Sequence, residues 1–96
     1  MNAYYVIEPC ASANGVEIKL KEKRIALGKA EKALAKLGEI IASMPVVLVA
    51  KVGPYSVSAY GSGRIMIKAA RRLPAKDVNA LATKLMKALE KGGAII

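Results

Sequence analysis

The chain has 96 residues, of which 54% are hydrophobic, and a formal net charge of +9, from 16 Lys and Arg against seven Asp and Glu. That length fits a single domain over 1–96 with one core, and the apolar content is too high for a disordered tail. With no Phe or Trp the core has to be aliphatic; with no His and one Cys, the usual general base at neutral pH and a zinc or iron–sulfur site built by this chain alone are excluded.

Ala3–Glu8 (AYYVIE) is rich in β-branched and aromatic residues and predicts a strand. Ala11–Gly15 is turn chemistry around Asn14-Gly15. Val16, Ile18 and Leu20 alternate with Glu17 and Lys19, so a second strand follows that can form a hairpin with the first. From about Glu22 to Met44 the period changes. Leu27, Ala30, Leu34, Leu37, Ile41 and Met44 recur at three- and four-residue steps, with Lys29, Lys32, Lys36 and Glu39 largely opposite. This predicts one amphipathic helix, weakened at Gly28 and stopped by Pro45.

Three strands are expected next. Val46–Val52 is apolar on both faces for most of its length, which fits a central strand or one covered by a partner. Tyr55–Tyr60 and Arg64–Ala70 alternate, and Gly61-Ser62-Gly63 joins them in a tight hairpin. Pro74 opens a second helix with Asp77 in its first turn and Val78, Leu81, Leu85 and Leu89 as its apolar stripe. Lys84, Lys87 and Lys91 crowd its end, Gly92 stops it, and Ala94–Ile96 is an apolar tail that packs on the body or frays. The expected fold class is α+β: a two-layer domain in the order β-β-α-β-β-β-α, with a curved antiparallel sheet and both helices over the face of Ile18, Val57, Ile65 and Ile67.

Two layers leave one sheet face uncovered. Alternation assigns to it Ser56, Ser58, Tyr60, Arg64, Met66 and Lys68, with Glu17, Lys19 and Lys21 from the second strand. Cations for phosphate, hydroxyls for hydrogen bonds and a tyrosine for stacking make a polyanion-binding face. Two other readings stay open: a sheet face turned to water, and a dimer interface drawing on Met66 and Val46–Val52. Two basic runs, Lys19–Arg24 (with Lys21, Lys23 and Arg24) and Arg71-Arg72, lie at the edges of the face or serve as solvated connections. The candidate nucleic-acid-binding residues are therefore Lys19, Lys21, Arg24, Ser56, Ser58, Tyr60, Arg64, Lys68, Arg71 and Arg72. Lys29, Lys32, Lys36, Lys84 and Lys87 read as solvation of the helices.

No catalytic residue, metal ligand or cofactor is expected. Glu8, Glu17 and Asp77 are scattered, there is no phosphate-binding glycine loop, and Cys10 reads as a buried or idle thiol. A lone cysteine, short apolar runs and an N-terminus without signal-peptide character predict a cytoplasmic protein that uses no membrane. The expected partner is DNA or RNA, because a basic surface gains affinity by releasing the counterions of a polyanion. The bland alternative is a lysine-rich surface that keeps copies apart. The alternative function is a protein-interaction subunit of a ribonucleoprotein or multi-subunit enzyme, without catalysis of its own.

Ser56–Ala70 (SVSAYGSGRIMIKAA) has Ser62-Gly63-Arg64 at a turn, Ile65–Ile67 in a strand and the small pair Ala69-Ala70 after it. Over Val46–Leu89 the chain resembles a single repeat, one half, of the TATA-box-binding protein fold. The resemblance implies that the helix from Pro74 lies on the convex side and that the concave sheet binds nucleic acid. It also implies that a saddle takes a homodimer or a partner of similar fold. That family kinks DNA with phenylalanine wedges; this chain has none, so intercalation and TATA-box recognition are not carried over. The strand at Val16–Leu20 is an addition to the simple repeat.

Overall fold

A computed structural model describes residues 4–9, 15–69 and 75–96. Cys10, the Asn14 turn position, Arg71, Arg72 and Pro74 lie outside the described residues. The elements are β1 (Tyr5–Pro9), β2 (Gly15–Leu20), α1 (Leu27–Ala35), β3 (Glu39–Ser43), β4 (Val47–Val52), β5 (Tyr55–Tyr60), β6 (Arg64–Ala69) and α2 (Ala75–Lys91). The six strands form one antiparallel sheet in the order β1-β2-β6-β5-β4-β3. The α+β class and the expected succession of elements hold, with one strand more than expected.

The core forms between the helices and one sheet face. Ile18, Leu48, Ala50, Val57, Ala59, Ile65 and Ile67 from the sheet meet Ala30, Leu34, Val78, Leu85, Met86 and Leu89 from the helices. Each large aliphatic side chain buried there contributes about 1.5–3 kcal/mol. Register explains why these strand residues converge. Ile18 pairs with Ile65, Ile65 with Ala59 and Ala59 with Leu48, and cross-strand partners share a face.

The expected helix from Glu22 to Met44 is corrected. α1 covers only Leu27–Ala35, and Glu39–Ser43 is the edge strand β3. The backbone N–H groups of Leu37 and Gly38 both donate to the Leu34 carbonyl, at 2.9 Å, and close the helix there. A Cβ at Gly38 would overlap the Lys51 carbonyl oxygen of β4, so glycine lets the chain turn directly against that strand. The helical spacing of Leu37, Ile41 and Met44 was coincidental. Ile41 and Met44 are exposed, at 57% and 47%, and the β-branched pair Ile40-Ile41 suits a strand. Ile41 sits where the β3–β4 register shifts.

The segment after β2 and the C-terminal tail secure each other. The Ile25 N–H donates to the Gly61 carbonyl at 3.2 Å, the Ala26 N–H to the Ala94 carbonyl at 2.7 Å and the Ile96 N–H to the Arg24 carbonyl at 2.8 Å. Ala94 is buried and Ile95 forms an isolated antiparallel bridge with Ile25. The tail therefore packs on the body, and only Ile96 is left 61% exposed. Among the described residues no helix is long and apolar enough to cross a membrane.

Candidate nucleic-acid interface

Strand register arranges the face opposite the helices into rows. One row runs Val6–Lys19–Arg64–Tyr60–Val47. The next runs Glu8–Glu17–Met66–Ser58–Val49–Ala42, and the last Gly15–Lys68–Ser56–Lys51–Glu39. Alternation thus brings together Lys19, Ser56, Ser58, Tyr60, Arg64 and Lys68 as expected, since the period of a strand is two. The first and last rows are four residues apart along β6, or about 13 Å.

The electrostatics of this face differ from the expectation. Lys19 Nζ lies 3.3 Å from Glu8 Oε2, and Arg64 Nε lies 2.9 Å from Glu17 Oε2. The second contact is one of charge: the Arg64 N–H is not aimed at the oxygen, which has no directed hydrogen bond. Arg64 also stands 5.3 Å above the centre of the Tyr60 ring, so its guanidinium covers one face of the tyrosine. Among the described residues the face carries four cations, Lys19, Lys51, Arg64 and Lys68, against the carboxylates Glu8, Glu17 and Glu39, a net +1 of the total +9.

Lys68 and Lys51 are different. They flank Ser56 in one row and make no ion pair among the described residues. Both line a shallow depression of about 410 Å³ with Ser56, Tyr55, Val49 and Ile41. Lys51 was missed in the sequence because Val46–Val52 reads as apolar on both faces for most of its length. Splitting it into Val47-Val49-Lys51 and Leu48-Ala50-Val52 exposes the signal, but only register places Lys51 beside Ser56.

Lys21 and Arg24 are exposed, in the segment after β2 rather than on the sheet. The Leu20 N–H donates to the Gly63 carbonyl at 2.8 Å, which brings this segment to the β5–β6 turn. Gly63 has φ +102, and a Cβ there would overlap the Lys23 carbonyl oxygen. Arg24 lines a second depression, of about 450 Å³, with Val46, Tyr60 and Ser62. Cations therefore stand at both ends of the sheet, while its middle row is acidic toward β1 and apolar toward β3.

At the margin of the core, the Tyr4 hydroxyl is buried without a hydrogen-bond partner. Burial, and then the nearby Glu90 carboxylate, push its pKa up to about 12, although the two groups are not in hydrogen-bonding geometry. Compared with protein-family models, with curated proteins and with solved structures, the chain matches none of them.

Proposed function

We propose that this chain is a small nucleic-acid-binding module that presents its uncovered sheet face to DNA or RNA and works as a homodimer. The observation that carries the reading is the row Lys68–Ser56–Lys51, two lysines without ion pairs on either side of a hydroxyl. Two ammonium groups and a hydroxyl suit phosphate oxygens, and the cations around Lys21 and Arg24 extend the track at the far end of the sheet. The resemblance of Ser56–Ala70 to a TATA-box-binding protein repeat supports both the choice of face and the need for a second copy. Without Phe wedges, binding rests on the backbone rather than on intercalation.

A second reading, a protein-interaction subunit, is favoured by the β3 edge, where Ile41, Met44 and Val46 are all exposed. An edge strand with exposed apolar side chains is a ready surface for another chain. Both readings meet one experiment. The full chain is titrated against single- and double-stranded oligonucleotides over a salt series, with its mass in solution measured in parallel. Lys51→Gln/Lys68→Gln should weaken oligonucleotide binding about tenfold, and Lys32→Gln/Lys36→Gln on α1 less than about twofold. Equal losses from the two pairs would remove the sheet-face assignment; no oligonucleotide binding from a stable dimer would favour the second reading.

A further inference from the structure

We propose that the groove between α1 and α2 is a separate docking site for an acidic peptide segment of a partner protein. The groove has a volume of about 660 Å³. Lys29, Lys32 and Lys36 stand along α1 and Lys91 on the last turn of α2, with Ala33 and Ala88 among the small residues between them. Among the described residues no carboxylate lines the groove. The acids nearest in sequence are turned elsewhere: Glu31 accepts a hydrogen bond from Ser43 Oγ at 2.7 Å, and Glu90 lies beside Tyr4.

Lysines at helix C-termini have a local explanation, because they complement the helix dipole. Magnitude decides against that as the whole account. Each helix end carries about half a negative charge, so the two ends offset about one of the four ammoniums and leave about +3. Lys29 lies in the first turn of α1, where its own helix disfavours a cation, and no acidic residue accompanies it there.

The lining also selects the partner. Among the described residues no Arg, aromatic ring or hydroxyl lines the groove, so none of them grips a phosphate in two places or stacks on a base there. An apolar floor rimmed by ammonium groups suits a peptide that sets alanine-sized side chains on the floor and carboxylates on the rim. Lys29, Lys32 and Lys36 follow one helical stripe of about 10 Å, a spacing that glutamates at three- and four-residue steps on a partner helix would match.

The test uses the full chain and a fluorescent Glu/Ala peptide with that spacing, with its Gln/Ala counterpart as control. The Glu peptide should bind, and the Gln peptide should not. Lys32→Gln/Lys36→Gln, both on the α1 wall, and Lys29→Gln/Lys91→Gln, one lysine from each wall, should each weaken binding about tenfold. Lys76→Gln/Lys84→Gln, on α2 outside the groove, and Lys51→Gln/Lys68→Gln, on the sheet, should each change it less than about twofold. Circular dichroism on every variant keeps loss of fold apart from loss of contact. Equal losses from groove and control pairs, equal binding of the Gln peptide, or displacement of the Glu peptide by a polyadenylate oligonucleotide as readily from the Lys51→Gln/Lys68→Gln variant as from the parent chain would overturn the proposal. The sheet-face reading stands or falls separately, since its own pair of lysines is a control here.

Discussion

On the open sheet face, Lys19 and Arg64 each lie within 3.3 Å of a carboxylate, and four cations net only +1. In the α1–α2 groove, four lysines gather with no carboxylate among the described lining residues. The first surface holds Lys19, Arg64 and Lys68, which sequence alternation selects for binding; the second holds Lys29, Lys32 and Lys36, which helical periodicity assigns to solvent. The contrast teaches that charge along a chain and charge at a site are different quantities. Pairing across strands neutralises the one, and the packing of two helices concentrates the other. Neither surface owes its potential to one element: β1, β2 and β3 supply the carboxylates that compensate the sheet, and α2 supplies the second wall of the groove.

The two surfaces can be separated most forcefully through the core. Leu34 is fully buried and seats α1 on the sheet. Leu34→Ala should cost about 2–5 kcal/mol in chemical denaturation. Because α1 forms one wall of the groove, peptide binding should fall with it, while the strand row Lys68–Ser56–Lys51 keeps its register and its oligonucleotide affinity under folding conditions. Loss of both activities in a still-folded variant would mean that the two surfaces are not independent.

A smaller change sharpens the electrostatic side. Glu8→Gln/Glu17→Gln releases Lys19 and Arg64 from their carboxylates and takes the sheet face from +1 to +3. Oligonucleotide affinity should rise about three- to tenfold and the salt dependence should steepen, with peptide binding at the groove unchanged. The Glu8–Lys19 pair is half exposed on both sides, so Glu8→Gln alone should alter stability by less than about 1 kcal/mol. Unchanged affinity in the double variant would show that this half of the face does not meet nucleic acid.

The smallest effect concerns Tyr4. Its folded-state pKa of about 12 exceeds the ordinary 10.0, so the neutral hydroxyl is favoured by folding. The associated stability is present below pH 10 and is lost as pH rises toward 12, because the unfolded chain releases the proton first. Tyr4→Phe removes a buried hydroxyl that has no partner, so stability at neutral pH should hold or rise slightly. The decline between pH 10 and 12 should become shallower than in the parent chain. An unchanged alkaline profile would place the Tyr4 hydroxyl in water, and with it question the orientation of Glu90 away from the groove.

Much of this molecule follows from local chemistry. Period-two alternation in Val16–Leu20, Tyr55–Tyr60 and Arg64–Ala69 determined which side chains share a face, because a strand has only two faces. The stripe of Val78, Leu81, Leu85 and Leu89 determined α2 in the same way. Around Ile41 the local signal was ambiguous. Spacings of three and four fit a helix, and only the approach of β4 to Gly38, a contact with a residue thirteen positions away, settled that the chain turns into β3. The candidate site divides along the same line. Sequence by itself determined that Ser56, Arg64 and Lys68 lie on the uncovered face and that the chain carries +9. Tertiary structure alone decided that Arg64 meets Glu17, that Lys51 joins Lys68 across Ser56, and that Lys91 comes to face Lys29, Lys32 and Lys36. The reason is physical: the period of a helix or strand fixes which way a side chain points, whereas a net potential depends on which charges from distant segments come within a few ångströms of one another.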